Sequence, residues 1–219
     1  MIYVLDADYS FAIARNVVEH LSDRNDLPQS IIVGIAYGGP PAYRRHRTRD
    51  YTPTHVPTGG YGPSYQAVSG GGSTFYRFIS TELIPFVHRE YEAGSARVLV
   101  GHSFGGLFAS WVFLTDPHRF HGYVIVSPSL WYDDGMIFEL EDRAAPVETP
   151  TRMFLTVGSR EVNSEHDMVG DLRRFARELE ERSTTNLRMQ WDIAENETHN
   201  SVFPGAVSTG LRFVLDGRE

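Results

Sequence analysis

A serine hydroxyl is a weak nucleophile at its ordinary pKa and does covalent chemistry only beside a base that an acidic group orients. The 219-residue chain places one serine in a setting suited to that task, Arg97-Val-Leu-Val-Gly-His-Ser-Phe-Gly-Gly106. The β-branched run predicts a strand, the glycines a sharp turn, and the apolar stretch through Trp111 to Leu114 a helix. A strand–turn–helix of this kind lifts the Ser103 hydroxyl clear of a sheet, with Gly101 and Gly105 leaving room for close backbone approach. The helix points its positive N-terminal end at the site, where a developing oxyanion is favoured. A plain glycine-rich turn in which Ser103 only caps the helix is the competing reading. No Gly-Lys-Ser/Thr follows, which argues against a phosphate loop.

In this arrangement the chain order is serine, then Asp or Glu, then histidine, each after a later strand. Nine histidines are present, and those after Ser103 are His118, His121, His166 and His199. His118 and His121 fall between a helix and the next strand, and His166 lies just before a helix. His199 sits in Glu195-Asn-Glu-Thr-His-Asn-Ser201, the polar loop between the last strand and the last helix, where the base belongs. The acid should follow the strand Arg152–Val157. Glu161 is favoured, with Glu165 and Asp167 as rivals in the same loop. An oxyanion needs two backbone donors. One is the N–H of Phe104. The other is expected in Asp6-Ala-Asp8, at the Asp8 N–H, with Ala7 and Tyr9 as neighbours; otherwise these aspartates cap the next helix.

The elements that must position these groups follow from hydrophobic periodicity. Strands are predicted at Ile2–Leu5, Ile31–Tyr37, Arg97–Val100, Gly122–Val126, Arg152–Val157 and Leu187–Ile193. Helices are predicted at Phe11–Leu21, Ser73–Tyr91 (with Pro85 as a kink), after Ser103, at Asp167–Arg182 and at Phe203–Leu215. Strands alternating with helices imply a mostly parallel sheet covered on both faces, as one α/β domain over residues 1–219. Sites in such sheets form at the carboxyl ends of the strands.

Gly38 to Gly72 is too long for an ordinary connection and reads as a substrate loop. It carries Arg44, Arg45, Arg47 and Arg49, with Tyr37, Tyr43, Tyr51, Tyr61 and Tyr65 around them. Arg47 and Arg49 are candidate substrate contacts, because guanidinium forks suit carboxylate or phenolate oxygens. Trp131, after a strand's carboxyl end, is a candidate pocket wall. The bland reading has the arginines solvated or paired with acids, and Trp131 in the core.

Composition bounds the rest. With 41% hydrophobic and 22% charged residues the chain is no disordered protein. A net charge of −8 argues against nucleic acid as a partner. No apolar run approaches the ~18 residues of a membrane span. No signal peptide is visible, so a cytoplasmic location is expected. There is no cysteine, which excludes disulfides, thiolate metal sites and a cysteine nucleophile. No His/Asp/Glu cluster suggests a metal, and no cofactor is needed for the chemistry inferred.

Several motifs, in order, resemble the esterase-D-like branch of the α/β-hydrolases. They are Tyr3-Val-Leu-Asp-Ala-Asp8, Arg47-Thr-Arg-Asp-Tyr-Thr-Pro53, Gly70-Gly-Gly72 leading to Phe75, and Glu82-Leu-Ile-Pro85. They continue with Gly101-His-Ser-Phe-Gly-Gly106, Ser127-Pro-Ser-Leu-Trp131 and Glu197-Thr-His199. The branch contains siderophore (enterobactin-type) esterases, S-formylglutathione hydrolase and mycolyltransferases, and the likeness is strongest to the siderophore-esterase group. The resemblance implies an α/β-hydrolase fold and a serine hydrolase acting on small carboxylic esters through Ser103, His199 and Glu161. An acyltransferase with the same residues, or a binding protein that kept the fold, is the alternative. Members usually carry antiparallel strands before the one that matches Ile2 to Leu5, and these are expected to be missing here. The strand at 31–37 then becomes an exposed edge, which a second copy of the chain is expected to cover as a homodimer.

Overall fold

The structure, a computed structural model, describes residues 1–40, 42–91, 94–141, 143–144, 146–182 and 185–216. Six strands form one sheet: β1 (Ile2–Val4), β2 (Ile32–Gly34), β3 (Val98–His102), β4 (Gly122–Val126), β5 (Thr151–Gly158) and β6 (Leu187–Ala194). Their order is β2-β1-β3-β4-β5-β6, and every neighbouring pair is parallel. The helices are α1 (Ala7–Ser22), α2 (Ala42–Tyr51), α3 (Pro63–Gln66), α4 (Gly72–Phe78) and α5 (Ile84–Tyr91). They continue with α6 (Phe104–Thr115), α7 (Tyr132–Glu141), α8 (Met168–Glu181) and α9 (Val202–Val214).

The sheet is held by a period-two alternation that feeds two cores. Ile2, Val4, Val98, Val100, Val124, Val126 and Phe154 point to one face and pack with Ala14 and Val18 of α1 and Val207 and Leu211 of α9. Tyr3, Leu99, Tyr123, Ile125, Met153 and Leu155 point to the other and pack with Leu107 and Phe108 of α6 and Leu172 and Phe175 of α8. A one-residue slip of any central strand would exchange these sets, so burial on both faces fixes the register. That register brings the carboxyl ends of β1, β3, β4, β5 and β6 to one edge.

Besides α7, which the sequence reading does not contain, three elements differ from it. The segment 38–72 is not an extended loop, because it contains α2 and α3. The ten residues of α2 bury Arg47, Thr48, Asp50 and Tyr51, so its inward face carries no apolar stripe to reveal it. The helix expected over 73–91 runs as α4 and α5 joined by a π-turn at Ile79–Leu83. Pro85 lacks an N–H and crowds the carbonyl four residues earlier, and the wider turn absorbs this without ending the helix. The strand expected at 31–37 is shorter, Ile32–Gly34, and it does lie at the sheet edge. Among the described residues no helix is long and apolar enough to cross a membrane.

Candidate active site

Backbone strain collects where the strands end. Asp6, Ser103, Ser127 and Asn196 have positive φ, and they follow β1, β3, β4 and β6. Non-glycine residues hold such conformations at a cost of about 1–3 kcal/mol each, and only where the surroundings enforce them. Ser103 has φ 60° and ψ −120°. Its N–H donates to the Val126 carbonyl at 3.0 Å, and its own carbonyl accepts from the N–H groups of Leu107 at 2.9 Å and Ser129 at 3.2 Å. A Cβ on Gly101 would lie 2.2 Å from the Gly105 carbonyl oxygen, so that turn closes only over glycine. The second close approach is at Gly106, whose Cβ would lie 2.9 Å from Pro128 Cα. Gly105, the position expected from sequence, is looser, at 3.3 Å from the Asp6 carboxylate.

The structure brings His199 and Glu161 together. His199 Nδ1 lies 2.6 Å from Glu161 Oε2, and the Glu161 side chain is almost fully buried. The other oxygen, Oε1, accepts from the Ser127 hydroxyl at 2.6 Å and the Gly158 N–H at 2.7 Å. With both oxygens engaged, the carboxylate has one orientation. Its rivals lie elsewhere: Asp167 caps α8 by accepting from the Gly170 N–H, and Glu165 is exposed. The loop that carries His199 is packed hard against β5. A Cβ on Gly158 would lie 2.3 Å from the Glu197 carbonyl oxygen, which instead accepts from the Arg160 N–H at 3.0 Å.

Below the turn lies a buried ion pair. Arg47 Nε and Nη2 donate to the two Asp6 carboxylate oxygens at 2.8 and 2.9 Å, and both side chains are 1% exposed. Tyr43 Oη donates to the same carboxylate at 3.0 Å, and Arg47 Nη1 donates to Tyr61 Oη at 2.6 Å. Burial opposes charge on Arg47, but the Asp6 carboxylate and the tyrosine hydroxyls outweigh it and raise the pKa of the guanidinium further. Arg47 is therefore a structural strut, and its expected role as a substrate contact is corrected: its donors are spent on Asp6 and Tyr61. Arg47→Ala should destabilise the fold by about 3–5 kcal/mol, because it strands a buried carboxylate. Urea unfolding measures this.

Arg49 is half-exposed and pairs with Asp50 at 2.7 Å. It lines a cavity of about 630 Å³ beside β2 with Ile35, Tyr37, Phe75 and Phe78, which contains none of Ser103, Glu161 or His199. Trp131 does stand beside the turn. Its ring is 6.1 Å from that of Phe104 and stacks on His166 at 3.9 Å.

Asp8 contributes in a way its type and position did not disclose. Its carboxylate accepts from the N–H groups of Tyr37 at 2.8 Å and Gly39 at 2.7 Å, which pins the chain beyond β2. The Ala7 N–H is taken by the Ile35 carbonyl and the Tyr9 N–H by that of Asp6. Among the described residues the Asp8 N–H meets no backbone acceptor.

His102, beside Ser103, is buried. Desolvation, together with the neighbouring His199, lowers its pKa from 6.5 to about 3. In the unfolded chain it takes up a proton near pH 6.5, in the folded chain only near pH 3. Between these values the unfolded state binds more protons, so stability falls as pH falls through that window. The slope is at most about 1.4 kcal/mol per pH unit. His102→Gln should therefore lose less Tm than the wild type between neutral pH and about pH 4, as thermal melts would show.

A parallel sheet with helices on both faces, and a strained serine at a strand–helix turn beside a histidine–carboxylate pair, together define an α/β-hydrolase of the serine type. The chain belongs to the family described as "Putative esterase", whose model matches residues 1–211. It is similar to ferri-bacillibactin esterase BesA of Bacillus subtilis, at 30% identity, over 98% of this chain and 78% of that one. The crystal structure of the BES protein from Bacillus cereus superposes with a TM-score of 0.83 at 31% identity, covering 98% of this chain and 83% of that chain. An IroE-like serine hydrolase from Shewanella oneidensis gives a TM-score of 0.85 at 28% identity, covering 98% of this chain and 69% of that chain. The chain is a carboxylic ester hydrolase.

Proposed function

We propose that Ser103, His199 and Glu161 act as nucleophile, base and orienting acid on siderophore esters. The observation that carries this is the 2.6 Å contact between Glu161 and His199 Nδ1, at the strand edge that also carries the strained Ser103. A carboxylate at Nδ1 keeps the proton on that nitrogen and leaves the Nε2 lone pair for the serine proton. His199 takes that proton as Ser103 Oγ attacks the ester carbonyl. The oxyanion is held by the N–H of Phe104, a first-turn helix amide with no intrahelical acceptor, and by that of Asp8. His199 then protonates the departing alcohol, and water, activated by the same imidazole, hydrolyses the acyl-enzyme.

The substrate class rests on the names of the relatives and on the rim of the site. Trp131 and His166 present a stacked pair next to Phe104. Tyr61, 41% exposed, lies 5.6 Å from the Phe104 ring, and the exposed Arg44 lies 5.5 Å over it. Flat aromatic acyl groups with anionic oxygens suit such a rim. Aromatic contacts contribute about 0.5–1.5 kcal/mol each, so two of them raise kcat/KM about tenfold. Hydrolysis of a ferric catecholate trilactone should therefore exceed that of an aliphatic acyl ester of serine, which has the same type of leaving group, by at least that factor in kcat/KM. Equal or lower values would remove the siderophore assignment and leave the esterase.

A further inference from the structure

The mechanism leaves His102 without a task, although this residue is buried between the nucleophile turn and the base loop. His102 Nε2 lies 2.7 Å from the backbone carbonyl oxygen of His199, and Nδ1 lies 3.1 Å from Tyr9 Oη. Its ring is 4.6 Å from the His199 ring and 5.4 Å from that of Phe203. A carbonyl only accepts, so Nε2 carries the hydrogen. The ring is neutral at working pH, so Nδ1 is an acceptor facing the Tyr9 hydroxyl, whose one hydrogen the Asp6 carboxylate also meets at 3.3 Å. The contact of Nε2 with the His199 carbonyl fixes the tautomer.

The anchors of the base loop divide into two sets. The Arg160 N–H to the Glu197 carbonyl, the Ser159 N–H to the Ala194 carbonyl and the His199–Glu161 contact all tie the loop to the residues after β5, on the side of the acid. The hydrogen bond from His102 ties it to β3, one residue from Ser103. Among the described residues it is the one hydrogen bond that joins the residues around Ser103 to the base loop. Acid and base therefore move as a unit, and His102 sets where that unit stands relative to the serine.

We propose that His102 is a positioning residue: its Nε2–H holds the His199 backbone, so that nucleophile and base are kept in register. The proposal rests on the reading of Ser103 and His199 as nucleophile and base. Misplacing a catalytic group by about 1 Å costs on the order of 10²-fold in rate. Losing the tie should lower kcat and leave KM unchanged, because neither the rim nor the His199–Glu161 pair is touched.

The test uses the full chain, with folding checked by circular dichroism, and p-nitrophenyl acetate as substrate. In His102→Gln the side-chain amide nitrogen falls near the Nε2 position and keeps a donor toward the His199 carbonyl. In His102→Asn the shorter amide reaches only the Nδ1 position, and in His102→Phe the ring volume stays without either nitrogen. The Asn and Phe variants should lose about 10–100-fold in kcat with KM within about twofold of wild type, and the Gln variant should stay within about threefold. Either donor-less variant suffices if the other does not fold. Equal losses in the Gln variant and a donor-less one, a loss confined to KM, or no loss would overturn the proposal. Ser103→Ala separates the two readings: if it retains wild-type activity, the assignment of the nucleophile fails; if it is inactive while the donor-less variants match wild type, the positioning role alone fails.

Discussion

Ser103→Ala should lower kcat for ester hydrolysis by about 10⁶-fold, or about 8 kcal/mol of transition-state stabilisation, with KM little changed. The size of the effect follows from the covalent step. Without Oγ there is no acyl-enzyme, and His199 has no hydroxyl to activate. Any residual rate comes from the backbone donors and from substrate binding, which the substitution does not touch. The fold should survive, because alanine tolerates φ 60° and ψ −120° no worse than serine does. Ser103→Gly makes the complementary case. Glycine adopts that conformation without strain, so this variant should be as inactive as the alanine variant but more stable than it, by about 1–3 kcal/mol. Steady-state kinetics and urea unfolding on the three proteins check both halves.

Glu161→Gln should lower kcat by about 10⁴-fold while leaving the fold intact. The reason lies in the donors that surround the carboxylate. The Ser127 hydroxyl and the Gly158 N–H both donate to Oε1. A glutamine must keep its carbonyl oxygen there, since its NH₂ group would meet two donors. The amide then faces His199 Nδ1 with N–H groups, and Nδ1 has to accept. The imidazole proton moves to Nε2, and the base no longer has a lone pair to offer the serine. Ser127→Ala removes one of the orienting donors and should give a smaller loss in kcat. Glu161→Ala also loses the charge but presents no N–H to Nδ1, so kcat of Glu161→Gln at or below that of Glu161→Ala on one ester distinguishes this tautomer mechanism from a simple loss of charge.

The site was legible in the sequence where chain order and element type carry the information. A β-branched run ending in Gly101-His-Ser-Phe-Gly105 encodes its strand, turn and helix locally. Glu161 and His199 follow from their places after β5 and β6. What escaped depends on partners distant in sequence. Arg47 reads as a surface arginine because its partner, Asp6, is 41 residues away and because α2, which turns it inward, buries polar residues that no apolar period marks. Ser127 and His102 were passed over because serine and histidine have many uses near a turn, and only the fold shows that one steadies Glu161 and the other reaches the His199 carbonyl. Arg49 lies two residues further along α2, half a turn from Arg47, and so faces the cavity beside β2 and not Asp6.

The central claim is that one serine carries the covalent step. Its most direct test is to react the folded protein with diisopropyl fluorophosphate and to locate the adduct by intact mass and peptide mapping. A single phosphoryl adduct on the peptide that contains Ser103, absent in Ser103→Ala and slower to form in Glu161→Gln, is the predicted result. An adduct on another residue, or none on a protein that hydrolyses esters, would contradict it.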